Sequence, residues 1–86
     1  MTDRKIEFFV TTIATNNPIH GTYRAHTYYG ALKEFMISNS IHTSKQVCIS
    51  EADGHEYVYH CVTRDDNNDV NYGSVSGPYH DGEACQ

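Results

Sequence analysis

Residues 46–63 read QVCISEADGHEYVYHCVT, with Asp53-Gly54 set between two runs rich in β-branched and aromatic residues. Asp and Gly tolerate the positive φ angles of a tight reversal, so the pattern calls for a hairpin. A two-residue type I′ turn at Asp53-Gly54 predicts a register in which Ala52 faces His55, Ser50 faces Tyr57, Ile49 faces Val58, Cys48 faces Tyr59 and Val47 faces His60. Side chains alternate across a strand, so Val47, Ile49 and Val58 then share one face while Cys48, Ser50, Tyr57, Tyr59 and Cys61 share the other. The aliphatic face is expected to meet a helix. The tyrosine face is expected to be open or covered by the C-terminal tail.

The elements before this hairpin are also marked. Residues 5–14, KIEFFVTTIA, place Ile6, Phe8 and Val10 on one side and Phe9, Thr11 and Ile13 on the other, as a central strand does. The breakers Thr15-Asn16-Asn17-Pro18 follow, and residues 19–25 return as a second strand. Thr27 stands where an N-cap is wanted, and Tyr28, Ala31, Leu32, Phe35 and Met36 then fall at i, i+3, i+4, i+7 and i+8, the stripe of a core-facing helix. Gly30 weakens its first turn, which implies a close neighbour there. Asn39 or Ser40 ends it. Residues 70–75 can add a short edge strand.

At 86 residues the chain has room for one domain with a thin core, burying about 60 to 65% of the surface its unfolded chain exposes. The expected fold is α+β: an antiparallel sheet of four or five strands in the order ββαββ with one helix packed on one face. Residues 1–86 form a single domain in this reading, with 64–86 an acidic segment rich in Gly, Asn and Asp. An enclosed pocket for a large cofactor does not fit this size, and no cofactor is expected.

Formal net charge is -5 and unevenly divided. Residues 1–50 carry five cations against three carboxylates, whereas residues 51–86 carry Arg64 alone against eight carboxylates. Such a half repels phosphate, so direct nucleic-acid binding is disfavoured and a partner with a basic surface is favoured. No stretch reaches the roughly 18 to 20 apolar residues of a membrane span, and Met1-Thr2-Asp3-Arg4 lacks the apolar region of a signal peptide. Cys48, Cys61 and Cys85 are odd in number and widely spaced, unlike a secreted disulfide framework. The expectation is a cytoplasmic chain with reduced thiols and no membrane contact.

Six histidines and three cysteines raise a metal reading, but no C-x2-C or H-x3-H pair occurs, and His55 and His60, an odd number apart on one strand, point to opposite faces. No metal site is expected. Adjacency of His60 and Cys61 does not assemble a nucleophile and base, for the same geometric reason. No glycine loop suited to phosphate is present, so the chain is read as no enzyme.

Tyrosine is the feature left over, seven in the chain with no Trp. Tyr combines a large apolar area with a polar tip at low entropic cost, which suits recognition surfaces. Tyr57 and Tyr59 beside Glu51, Asp53 and Glu56, with Asp65 and Asp66 beyond the strand, form the predicted partner-binding patch, complementary to Arg-rich surfaces through charge pairing and cation–π contact.

The segment 8–61, a hairpin, a helix and a hairpin in which GTYRAHTYYGALKEF leads a strand into the helix, resembles small phage-encoded proteins that disable a host machine, such as RNA polymerase inhibitors and anti-CRISPRs. The resemblance is one of architecture. It implies a stoichiometric inhibitor in the host cytoplasm that occupies the surface of a host protein or protein–nucleic-acid complex. Two alternatives stand beside it. One is a self-associating structural or accessory subunit, a homodimer formed through an exposed sheet edge; the other is a metal or small-ligand binding domain.

Overall fold

The computed structural model describes residues 4–77. Seven elements follow in the order β1 (Ile6–Thr12), β2 (His20–Ala25), α1 (Tyr28–Ser38), β3 (Thr43–Glu51), β4 (Glu56–Arg64), β5 (Val70–Asn71) and β6 (Ser74–Ser76). This is the α+β, ββαββ arrangement read from the sequence. The antiparallel sheet runs β2-β1-β3-β4-β5, with β6 also on β4. β1 is an interior strand between β2 and β3, and both these neighbours run antiparallel to it. The chain therefore crosses from β2 over β1 to β3 through the helix, a split βαβ path. Asp81, Glu83 and Cys85 of the acidic segment lie outside the described residues.

The helix begins and ends where its caps dictate. Thr27 is extended, and its hydroxyl accepts the N–H of Gly30 at 3.0 Å, satisfying one of the donors that the first turn leaves open. A Cβ at Gly30 would come within 3.3 Å of the Ala25 Cβ, so its small size lets the helix start close to β2. At the other end Ser40 takes φ 55, while the N–H groups of Ser40 and Ile41 return to the carbonyls of Ile37 and Met36. That is a Schellman ending with Ser40 as the left-handed residue. Ile41 then packs on the core.

Ala31, Leu32, Phe35 and Met36 are buried against Phe8 and Val10 of β1, Val47 and Ile49 of β3, and Tyr59 and Val62 of β4. Full burial of a side chain of this size stabilises the fold by roughly 1.5 to 3 kcal/mol before entropy is counted. The helical stripe expected from the sequence is the one that forms the core.

The second hairpin is offset by one residue from the expected register. Glu51 pairs with His55 rather than Ala52 with His55: the Glu51 N–H donates to the His55 carbonyl, and the Gly54 N–H donates to the Glu51 carbonyl. The loop is thus three residues, Ala52-Asp53-Gly54, a type I turn followed by a left-handed Gly54 at φ 100. Across it Ser50 faces Glu56, Ile49 faces Tyr57, Cys48 faces Val58, Val47 faces Tyr59 and Gln46 faces His60. A slip of one residue exchanges the faces of an entire strand. Tyr57 and Tyr59 consequently share the helix side with Val47 and Ile49, and Val58 joins Cys48 on the opposite side. The expectation that the two tyrosines lie on the side away from the helix, open or covered by the tail, is overturned: Tyr59 is buried on the helix side, and Tyr57 stays exposed at its edge.

Tyr59 and Val62 both enter the core although they are three apart, which strict alternation forbids. Cys61 between them has φ 56 and turns the strand. Opposite this turn the edge segment is interrupted: β6 runs along Val58–His60 and β5 along Thr63–Arg64 in one continuous register, broken at Tyr72-Gly73. The edge strand expected over 70–75 exists in these two pieces. Cys61 is disulfide-bonded, whereas Cys48 is free and buried. The reading of uniformly reduced thiols is corrected at Cys61.

Candidate partner-binding site

Three elements meet at the hairpin end of the sheet. The N-cap at Thr27 puts Tyr28 at the first helical position, β3 ends at Glu51, and β4 brings up Tyr57 as its second residue. The Tyr28 hydroxyl donates to Glu51 Oε2. Behind it the Phe8 ring lies 4.8 Å away between centroids, and in front Tyr57 packs edge-on at 4.9 Å and 88°. Tyr28 thus bridges a carboxylate and a second ring. Tyr57 keeps 40% of its surface exposed, and Glu51 is half-buried.

Burial, and then the Glu51 carboxylate, hold the Tyr28 hydroxyl protonated far above the usual tyrosine range. It remains a neutral donor at any physiological pH. One donated bond leaves a carboxylate with further acceptor positions, so the corner offers an oriented anion beside an exposed aromatic ring.

At the tip of the loop, Asp53 Oδ1 accepts the His55 N–H at 3.0 Å and Oδ2 lies 2.9 Å from His55 Nδ1. The backbone and side-chain hydrogen bonds from His55 lower the Asp53 carboxyl, and the Asp53 hydrogen bond and charge raise His55. Both groups stand in solvent, 56% and 70% exposed.

The other residues of the predicted patch lie elsewhere. Tyr59 is only 7% exposed, and its ring packs edge-on to Tyr72 at 4.9 Å. It belongs to the core, where burial pushes its hydroxyl up to about 12. Glu56 faces Ser50 on the opposite side of the sheet. Asp65 closes its own loop by accepting the N–H groups of Asn67 and Asp69 at 2.9 and 3.0 Å, and Asp66 is exposed on that loop. The structure therefore groups Glu51, Asp53 and Tyr57, adds Tyr28 and His55, and separates Tyr59, Glu56, Asp65 and Asp66 from them. Tyr28 was read from the sequence as helix packing. The signal that places it here is the N-cap, which brings the first helical residue to the strand ends.

The chemistry available elsewhere is limited. Burial, with Glu56 adding to it, raises the Cys48 thiol to about 11, so little thiolate forms at neutral pH. Among the described residues no group of three or more His, Cys, Asp or Glu side chains could hold a metal ion, and no helix is long and apolar enough to cross a membrane. An open groove of about 630 Å³ lies at the far end of β3, lined by hydroxyl and amide side chains together with Ile13, Ile19 and Ile41, and Lys45 is its one charged lining residue. No family model, no curated protein and no solved structure matches the chain.

Proposed function

We propose that this chain is a non-catalytic binding protein whose Tyr28, Glu51 and Tyr57 receive a cationic side chain, an arginine above all, from a basic surface of a host protein or protein–nucleic-acid complex. The observation that carries this reading is the bridge made by Tyr28, which orients the Glu51 carboxylate beside the exposed Tyr57 ring. A guanidinium stacks on an aromatic face and bonds a carboxylate in its own plane, a combination that a lysine ammonium does not reproduce. Cation–π contact of this kind contributes about 0.5 to 2 kcal/mol depending on desolvation. The eight carboxylates of residues 51–86 supply the longer-range field that draws such a partner in.

Occupying a basic surface blocks whatever that surface serves, and phosphate is its commonest ligand. The role we propose is accordingly that of a phage or mobile-element inhibitor of a host defence or nucleic-acid-handling protein, in line with the architectural resemblance of segment 8–61 to such proteins. Cytoplasmic residence is part of the same proposal. The disulfide at Cys61 counts against it, because the reducing pool of that compartment keeps thiols reduced. Alkylation of cells at harvest decides this point: a labelled Cys61 agrees with the cytoplasm, and an unlabelled one contradicts it.

The interaction itself is tested by capture from host extract with the wild-type chain, Tyr57→Ala and Glu51→Gln, each of confirmed fold. The reading predicts one basic nucleic-acid-handling protein that is retained by the wild type and lost from both variants. Equal retention by all three chains moves the site elsewhere.

A further inference from the structure

β2 is an edge strand whose outer side no other described strand covers. Its hydrogen-bonding frame is set by Thr12, whose N–H donates to the Ile19 carbonyl at 2.9 Å. In an antiparallel ladder, bonded pairs alternate with unbonded ones. With Thr12 and Ile19 bonded, the constant register of β1 and β2 makes Val10 with Gly21, Phe8 with Tyr23 and Ile6 with Ala25 the next bonded pairs. The backbone N–H and C=O groups of His20, Thr22 and Arg24 must then point away from β1. The bond from the Ile13 N–H to the Gln46 carbonyl, on the other side of β1, falls in the same frame.

From this edge we infer that β2 pairs with β2 of a second copy of the chain, antiparallel about a two-fold axis through Thr22. In that register Thr22 faces Thr22 of the second copy and His20 faces Arg24, so every outward N–H and C=O of the three residues finds a partner. The edge is complementary to itself because the outward residues are centred on Thr22. A Thr–Thr pair across antiparallel strands is a favourable one. The two-fold axis stands perpendicular to the sheet, so the sheets join into one and both helices stay on the same side.

Edges that must remain single are usually blunted by proline, a bulge or inward charge. The sequence HGTYRA has no proline, and its pairing with β1 is unbroken over all six positions. Arg24 is its only permanent charge, and Glu7 stands opposite Arg24 on β1. His20, Thr22 and Arg24 are all exposed. The opposite edge differs, because β5 and β6 are short and interrupted at Tyr72-Gly73. A dimer through β2 leaves the Tyr28, Glu51 and Tyr57 corner open, since that corner is built from the helix start and from β3 and β4.

Sedimentation equilibrium over a concentration series tests the pairing, using the wild-type chain, Thr22→Pro and Thr22→Lys. Proline removes an N–H that the ladder with β1 does not use, and lysine adds charge on the two-fold axis. The expected result is wild type at twice the 9.7 kDa chain mass and both variants at the single mass, with unchanged far-UV spectra and unchanged binding of an arginine-rich peptide. A wild-type chain that stays at the single mass throughout the series overturns the inference, as does a folded Thr22→Lys chain that remains dimeric.

Discussion

Val47 stands directly opposite Tyr59 across β3 and β4, and that pairing separates the two hairpin tyrosines into a core residue and a surface residue. Tyr59 is buried among the helix-facing side chains, whereas Tyr57, two positions earlier, keeps its ring at the surface. Tyr59→Ala is expected to cost about 3 kcal/mol of unfolding free energy, in the range of large aromatic truncations in a core. Tyr57→Ala is expected to cost about 1 kcal/mol, the worth of its ring contact with Tyr28. Urea titrations of the two variants check this, and equal losses would contradict the register.

Gln46 is 1% exposed, and neither its amide nitrogen nor its amide oxygen has a hydrogen-bond partner. An unpaired buried polar group costs about 1 to 3 kcal/mol. Gln46→Leu, close in volume, is therefore expected to stabilise the chain by about that amount. A loss of stability in the same urea assay would show that the amide contributes bonding to the native state.

The Asp53–His55 pair predicts two pH effects. Asp53 is lowered, so its contribution to folding is present above the ordinary Asp range and lost as pH falls through its folded value. His55 is raised, so its contribution is present below 6.5 and lost as pH climbs through its folded value. The pair thus supports the hairpin between those limits. An NMR titration is expected to place His55 above 6.5 and to bring it back toward that value in Asp53→Asn. Above the His55 transition Asp53 is no longer neutralised, so affinity for a basic partner is expected to rise there. A His55 titration unaffected by Asp53→Asn would contradict the pairing.

Thiol chemistry separates the two described cysteines. Unfolded without reductant, the chain is expected to take a maleimide label at Cys48 and none at Cys61; after reduction both are labelled. In the folded chain Cys48 is expected to react slowly, because burial raises its thiol to about 11. Peptide mapping by mass spectrometry reads these outcomes, and labelling of Cys61 before reduction would contradict its disulfide.

The helix was legible in the sequence because each of its limits rests on a local bond: the Thr27 hydroxyl at one end, and the left-handed Ser40 with its returning N–H groups at the other. β1 was legible from apolar residues on both faces. The register of the second hairpin was not, because Asp53-Gly54 suits both a type I′ turn and the final positions of a type I turn with a left-handed glycine. Both choices put Gly54 at positive φ. The β4 run EYVYHCVT offers an apolar side in either register, so the choice falls to packing against the helix. Cys61 at φ 56 gives no advance signal, since a non-glycine residue there is set by its surroundings. The candidate site was half legible for the same reason. Glu51, Asp53 and Tyr57 were found from composition around the turn, while Tyr28 joins them only through the crossover of α1.

Amide chemical-shift mapping of the labelled chain with an arginine-rich peptide, beside a lysine peptide of equal length and charge, tests the proposed binding corner most directly. The account predicts shifts concentrated at Tyr28, Glu51, Asp53 and Tyr57, tighter binding of the arginine peptide, and loss of both in Tyr57→Ala. Equal affinity for the two peptides, or shifts centred away from these residues, would contradict it.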